Sequence, residues 1–355
     1  MNKERIISFP HLGDYYIPIK FLLTKLTKYK IIESPPITKK TIDLGSKYSP
    51  DFVCVPFKYN IGNFIETLDN GANVLIQAGG GCRYGYYSEV QEKILKDLGY
   101  NFEFYSLVDN DKITPLSLYH TFKKIDNRIP IYKMIYYIPL TILMIRYMDN
   151  IDNYIRLNIG FEVEKNSFIN LKKEMLNSFK NCKGYFSLTK KYFKYKKAFK
   201  KLKINKPDNC LKVGIIGELY TSMEPFASYF LEKELANMNI EIKRFTNVSY
   251  LLYQKRLERK KNLNYIKEYC KYTIGADGMD NVYRAKYLID QGYDGLIHIK
   301  PFGCTPEIGA IPIIRKVCQD YKMPIIYFSF DSQTSETGIK TRLEAFYDML
   351  KIKKG

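Results

Sequence analysis

The chain has 355 residues, with 56 Lys and Arg against 37 Asp and Glu, a net charge of +19, seven Cys and no Trp. A hydrophobic share of 46% excludes a disordered chain, and Gly and Pro are too sparse for a fibrous one. At this length a chain buries about three quarters of its unfolded surface without disulfide staples, and roughly 100–200 residues per domain gives about two domains.

The first 105 residues alternate short apolar strands with helical patterns. Strands are predicted over Arg5–Pro10, Lys30–Ser34, Asp51–Pro56 (DFVCVP), Ala72–Ala78 (ANVLIQA) and Asn101–Leu107. Helices are predicted over Tyr16–Leu26, Asn63–Asp69 and Ser88–Leu98, the second closed by the turn Asn70-Gly71 and the third by Gly99. Near-continuous apolar strands separated by helices mean a parallel sheet covered on both faces. The stretch 111–210 is helical and basic. Its longest apolar run, Ile129–Met148, is interrupted by Lys133, Pro139 and Arg146, which makes it a buried helix and not a membrane span. From Cys210 the alternation resumes. LKVGIIGELY, Ile240–Phe245, Gly295–Ile299 and Met323–Phe330 are strand-like, and Phe226–Asn237, Val282–Asp290, Ile308–Asp320 and Lys340–Lys351 helical. The expected organisation is an α/β domain over 1–110, a basic helical connector over 111–210 and a second α/β domain over 211–355. Both domains are expected to be doubly wound, Rossmann-like parallel sheets. No repeat is apparent, and Met1 leads through charged residues to ISFP without a secretory signal, so a cytoplasmic protein is expected.

A pI near 9.3 is typical of a nucleic-acid binder. Yet the excess is mostly Lys, amid Ile, Asn, Tyr and Phe, the mixture an AT-rich coding sequence gives for any function. The basic runs at 172–212 and 254–261 suit solvated helix faces with Phe and Tyr turned to a core. The functional alternative is a basic module binding RNA or another polyanion, without a cofactor.

The cysteines divide by context. Cys54 lies near the end of DFVCVP, Cys82 in GGGCRYG after ANVLIQA, and Cys304 in KPFGCTPE after GLIHI. Open parallel sheets bind ligands outside the carboxyl ends of their strands, where these three fall. Cys182 and Cys210 lie in or beside the basic connector, and Cys270 and Cys318 in helical patterns that make them core residues. There is no CxxC pair, and no signature supports a Cys–His nucleophile with His11, His120 or His298. Three thiolates arriving from separate strand ends would suit an iron–sulfur cluster with one iron open.

The runs CVPFK, GGGCRYGYY, VGIIGELY, GADGMDN, HIKPFGCTPE and TRLEAFYDML together resemble the 2-hydroxyacyl-CoA dehydratase family, in particular its activase-related branch near the double-cubane cluster proteins. The likeness extends from about Phe9 to Lys351 and weakens through the helical middle. It implies an iron–sulfur cluster, a four-iron cubane or a double cubane, in the cleft between two α/β domains. The ligands it implies are Cys54, Cys82 and Cys304. It also implies low-potential electrons delivered by a separate ATP-hydrolysing activase, and a second dehydratase-like subunit or a homodimer. The chemistry implied is dehydration of a 2-hydroxyacyl-CoA through a ketyl radical, or reduction of another small molecule.

GGCRYGYY has the glycine spacing of a P-loop, but Tyr86 and Tyr87 replace its Lys and Ser/Thr, so ATP hydrolysis is assigned to a partner. Lys58, Arg83 and Lys300 lie within four positions of the three cysteines, as neighbours in so Lys-rich a chain often do by chance. Thr305-Pro306-Glu307 has the form of a helix start, with Thr305 as N-cap. Glu307 is the candidate catalytic acid, although capping explains it more simply. Glu218 and Arg342 suit a fold-stabilising pair, and His298 a core histidine.

Overall fold

The computed structural model describes residues 4–79, 82–107 and 115–355, apart from the side chains of 115–117. Gly80 and Gly81 of the P-loop-like run, and the expected domain boundary near 110, lie outside the described residues. The chain divides into two compact units, Met1–Ile142 and Leu143–Gly355.

The first unit comprises β1 (Ile6–Ser8), α1 (Tyr16–Leu26), β2 (Lys30–Ile31), α2 (Lys39–Tyr48), α3 (Val55–Asp69), β3 (Val74–Gln77), α4 (Tyr87–Asp97), β4 (Glu103–Ser106) and α5 (Pro115–Ile125). A single 3-10 turn, Arg83–Tyr86, precedes α4, and α6 (Ile131–Asn158) carries the chain across the division between units. All strands are parallel, in the order β2-β1-β3-β4. One side of the sheet turns Ile7, Val74 and Ile76 onto Phe122 and Ile125; the other turns Leu75 onto Phe57, Ile61, Phe64 and Leu95.

The second unit comprises α7 (Ser167–Lys180), α8 (Tyr185–Lys201), β5 (Lys212–Gly217), α9 (Leu219–Met223), α10 (Leu231–Asn237), β6 (Glu241–Arg244), α11 (Lys255–Tyr265), α12 (Gly278–Asp290), β7 (Gly295–Pro301), α13 (Thr305–Asp320), β8 (Ile325–Phe330) and α14 (Glu336–Lys354). Its sheet is again parallel, in the order β6-β5-β7-β8. Val213, Ile215, Ile297 and Phe328 pack on Leu343 and Phe346 of α14, while Ile216 and Leu296 pack on Val282, Ala310 and Ile314 of α12 and α13. Two doubly wound, Rossmann-like α/β units are therefore present. No helix among the described residues is long and apolar enough to cross a membrane.

Several local expectations change. DFVCVP is a turn followed by the start of α3, because Pro56 favours the first helical turn and Cys54 stays extended as its N-cap. The sequence pattern gives no helix over 39–48, yet α2 forms there. Thr38 and Thr41 cap it reciprocally, a capping box built from Thr in place of the usual Glu or Gln. The helix expected over 226–237 breaks where Tyr229 and Phe230 adopt left-handed backbone angles of φ 50° and 55°. In the basic middle, Leu188, Tyr192, Tyr195 and Phe199 of α8 are buried as expected, whereas Phe186 and Phe193 are exposed.

Helix α3 is seated tightly against α2. At their crossing a Cβ on Gly45 would lie 1.8 Å from the Lys58 carbonyl oxygen, and one on Gly62 would lie 1.9 Å from that of Thr41. The two backbones are in contact, which only glycine permits. Thr41 also donates to Glu66 of α3 at 2.8 Å.

Candidate functional site

In both sheets the strand order reverses direction beside the first strand of the unit, between β1 and β3 and between β5 and β7. Such switch points leave a crevice beyond the strand carboxyl ends. The three cysteines separated in the sequence all fall on helix starts at this side of their unit.

Cys54 is the half-buried N-cap of α3, with φ −69° and ψ 151°, and its Sγ contacts the Tyr87 hydroxyl at the start of α4. Cys82, five residues beyond β3, is exposed and caps the Arg83–Tyr86 turn, its Sγ accepting from Tyr84 N at 3.4 Å. The rings of Tyr84 and Tyr87 are 4.8 Å apart, and Asn60 Nδ2 donates to the Tyr84 hydroxyl at 3.0 Å. Burial, followed by the neighbouring thiols of Cys54 and Cys82, pushes the Tyr87 phenol far above its ordinary range. Tyr87 is thus the common neighbour of both thiols, a role its sequence position did not announce.

Cys304 in the second unit is the half-buried N-cap of α13, with φ −77° and ψ 97°; Thr305 is already inside the helix, one residue later than its predicted place as the cap. Lys300 is buried and donates to the Phe302 carbonyl at 3.2 Å. Burial lowers its ammonium pKa, and the Cys304 thiol and Glu307 oppose that shift. Glu307 is 1% exposed, with both oxygens engaged: Oε2 meets His298 Nε2 at 2.8 Å and Oε1 accepts from Asn281 Nδ2 at 2.8 Å. Asn281 in turn bonds both backbone groups of Gly217 at 3.1 Å, and its Oδ1 accepts from Arg284 at 3.0 Å. Arg284 continues to Thr246 at 2.7 Å. This buried chain ties the start of α13 to the end of β5. His298 is a core residue of it, as expected.

Helix starts carry partial positive charge and unpaired N–H groups, so each of the three thiols occupies a place that favours an anion. The other cysteines do not. Cys182, Cys210, Cys270 and Cys318 are buried, and burial raises the thiols of Cys182 and Cys270 and pushes that of Cys318 up to about 12. Thiolates are suitable donors to iron–sulfur clusters, so the chemistry of this donor set fits such a group. Cys54 and Cys82 belong to one unit and Cys304 to the other. Among the described residues no three His, Cys, Asp or Glu side chains are grouped as a metal site.

Further polar residues gather beyond β5. Glu218 caps α9, accepting from Tyr220 N and Thr221 N at 2.9 Å each, and burial pushes its carboxyl up to about 7. Lys255 pairs with Asp277 at 2.6 Å and lies 3.8 Å from Asp280. Arg342 does not meet Glu218; it donates to the Tyr327 carbonyl at 2.7 Å and lies over the Phe328 ring. Asn281 and Asp277 both lie in the GADGMDN run, which the sequence marks only by its likeness.

Fold and site together define a two-unit parallel α/β protein that presents thiols at helix starts. Residues 252–350 match the family model described as 2-hydroxyglutaryl-CoA dehydratase, D-component. The matched stretch contains Asn281, His298, Cys304 and Glu307, and the match supports the resemblance to the 2-hydroxyacyl-CoA dehydratase family. No curated protein matches the chain.

Proposed function

We propose that this protein is an iron–sulfur component of the 2-hydroxyacyl-CoA dehydratase type, with Cys54, Cys82 and Cys304 as its cluster ligands. The observation that carries the reading is the shared placement of these three thiols. Each is a helix N-cap on the carboxyl side of a parallel sheet, while the remaining cysteines are buried. A low-potential cluster supplies single electrons, which acid–base side chains cannot, to a difficult elimination or reduction. The chain's own part is to hold the thiolates and to offset their charge. The helix starts do this at all three sites, and the buried Lys300 ammonium does so beside Cys304. Glu307 has the role of fixing the start of α13, since both its oxygens are committed inside the protein. The electron donor in this reading is an ATP-hydrolysing activase. The substrate is an acyl-CoA or another small molecule, and a second subunit or a second copy completes the assembly.

The test is iron and acid-labile sulfide content after anaerobic purification, on wild type and on Cys54→Ala, Cys82→Ala, Cys304→Ala and Cys182→Ala. About four irons per chain, the number in a cubane, lost in the first three variants and kept in the fourth, is the expected result. Roughly eight irons would assign the chain to the double-cubane branch. No iron after anaerobic reconstitution would overturn the cluster reading.

A further inference from the structure

One buried carboxamide of the first unit, five residues before Cys82, is unpaired at both of its polar atoms among the described residues. Gln77, the last residue of β3, is 1% exposed, and among the described residues neither its Nε2 nor its Oε1 has a hydrogen-bond partner. Successive strand residues alternate faces, so Gln77 shares the face of Leu75, which packs on α3 and α4 together with Phe57, Leu95 and Tyr87. Parallel strands joined through a helix make that helix run back along the sheet. Tyr87, Gln91 and Leu95 form one buried stripe of α4, four residues apart. Leu95 lies with Leu75, so Gln91 comes level with Gln77, and Tyr87, with its Cys54 contact, comes beyond the strand end. Gln91 and Asn60, both fully buried, each hold one bond, to the Phe57 carbonyl at 3.3 Å and the Tyr84 hydroxyl at 3.0 Å. Their amide oxygens are unpaired. Gln77 is the member of this group whose amide nitrogen makes no bond among the described residues.

The corresponding cluster of the second unit is more fully paired, with His298 Nδ1 and Arg284 Nη2 its open atoms. That unit has the same strand order, and His298 of β7 faces Glu307 and Asn281 in the corresponding helices, α13 and α12, with each carboxylate oxygen satisfied. A polar cluster in the core is stable when its members are paired, and an unpaired one costs free energy that an apolar residue of the same size would not. Gln77 lies five residues before Cys82, on the side of the sheet where Cys54 meets Tyr87.

We propose that Gln77 is a positioning residue for the iron–sulfur group of Cys54 and Cys82, its carboxamide N–H groups donating to that group's sulfur. This role rests on the cluster reading of the three thiols. Donors to cluster sulfur stabilise the reduced, more negative state and so raise the reduction potential.

The test uses the full chain, loaded anaerobically, as wild type, Gln77→Met and Gln91→Met. Gln77→Met is expected to lose iron to a chelator about tenfold faster and to move the midpoint potential negative. Gln91→Met, altering an amide already bound to Phe57, is expected to leave the potential in place. The cluster-free Gln77→Met protein is expected to melt no lower than cluster-free wild type, since the substitution removes an unpaired buried amide. Should Gln77→Met fail to fold, Gln77→Glu, which keeps the shape and removes donors, must shift loss rate and potential the same way. Unchanged iron loss and potential would overturn the proposal, as would equal shifts in the Gln77 and Gln91 variants. A wild type without iron would instead overturn the cluster reading, and the role of Gln77 with it.

Discussion

Glu307→Ala probes the buried chain that fixes the start of α13. The substitution leaves His298 Nε2, on a side chain that is 0% exposed, without a partner, and takes from Asn281 Nδ2 one of its two acceptors, the other being the Gly217 carbonyl. The orphaned group costs about 1–3 kcal/mol and the lost amide bond about 1 kcal/mol, so the loss is about 2–4 kcal/mol. In a unit of about 200 residues each kcal/mol lowers the melting midpoint by roughly 2–4 °C, giving a fall of about 4–16 °C. Glu307→Gln retains an oxygen for Asn281 and offers an N–H₂ group to His298. The imidazole must then carry its proton on Nδ1, which has no partner, so a residual cost of about 1–2 kcal/mol remains. Urea unfolding followed by circular dichroism on the three proteins measures both differences. Equal costs for Ala and Gln, or a cost for Ala below about 1 kcal/mol, would refute the assignment of Glu307 to this network.

Three further outcomes are expected. Glu218 has a folded pKa of about 7, above its ordinary 4.5, so the folded state binds the proton more tightly than the unfolded one. Stability is therefore full below about pH 4.5 and falls as pH rises to about 7, by about 1–3 kcal/mol because the side chain retains some solvent contact; Glu218→Gln should flatten that part of the stability–pH curve. Gly45→Ala forces a Cβ against the Lys58 carbonyl and should cost about 3 kcal/mol or more in denaturant unfolding, loosening the helix that Cys54 caps. An alkylating reagent at neutral pH, with peptides identified by mass spectrometry, should label exposed Cys82 before buried Cys182, Cys210, Cys270 and Cys318; early labelling of Cys318 would contradict its burial.

The parallel sheets were legible because their strands are buried on both faces and appear as continuous apolar runs, as in VGIIG and GLIHI. DFVCVP misled for the same reason: a short apolar run has no period, and only Pro56 distinguishes a helix start from a strand. Helix α2 was hidden because its contact face is glycine and threonine, which carry no hydrophobic signal. Gly and Pro neighbours marked Cys82 and Cys304 as loop residues, and helical patterns marked Cys270 and Cys318 as core, as their exposure and burial bear out. The wiring around them did not show, because Tyr87 and Asn281 act on residues 33 and 26 positions away, through contacts that the fold alone creates.

The common strand order makes the two units comparable position by position, and the comparison is unequal at one place. Cys82 and Cys304 both follow the third strand of their sheet, β3 and β7, and both cap the next helical turn. The helix entering that third strand is α3 in one unit and α12 in the other. Its N-cap is Cys54 in the first and Asp277 in the second. Asp277 is buried against Lys255 at 2.6 Å, so its charge is already met inside its own unit. His298, Glu307 and Asn281 likewise bond to one another, leaving His298 Nδ1 and Arg284 Nη2 open, whereas Gln77 is open at both polar atoms and Asn60 and Gln91 at their amide oxygens. Around the single thiol of the second unit the buried carboxylate is paired at both oxygens, whereas near the two thiols of the first unit the Gln77 carboxamide is paired at neither polar atom among the described residues. An unpaired buried group calls for an explanation, and the role proposed above for Gln77 supplies one.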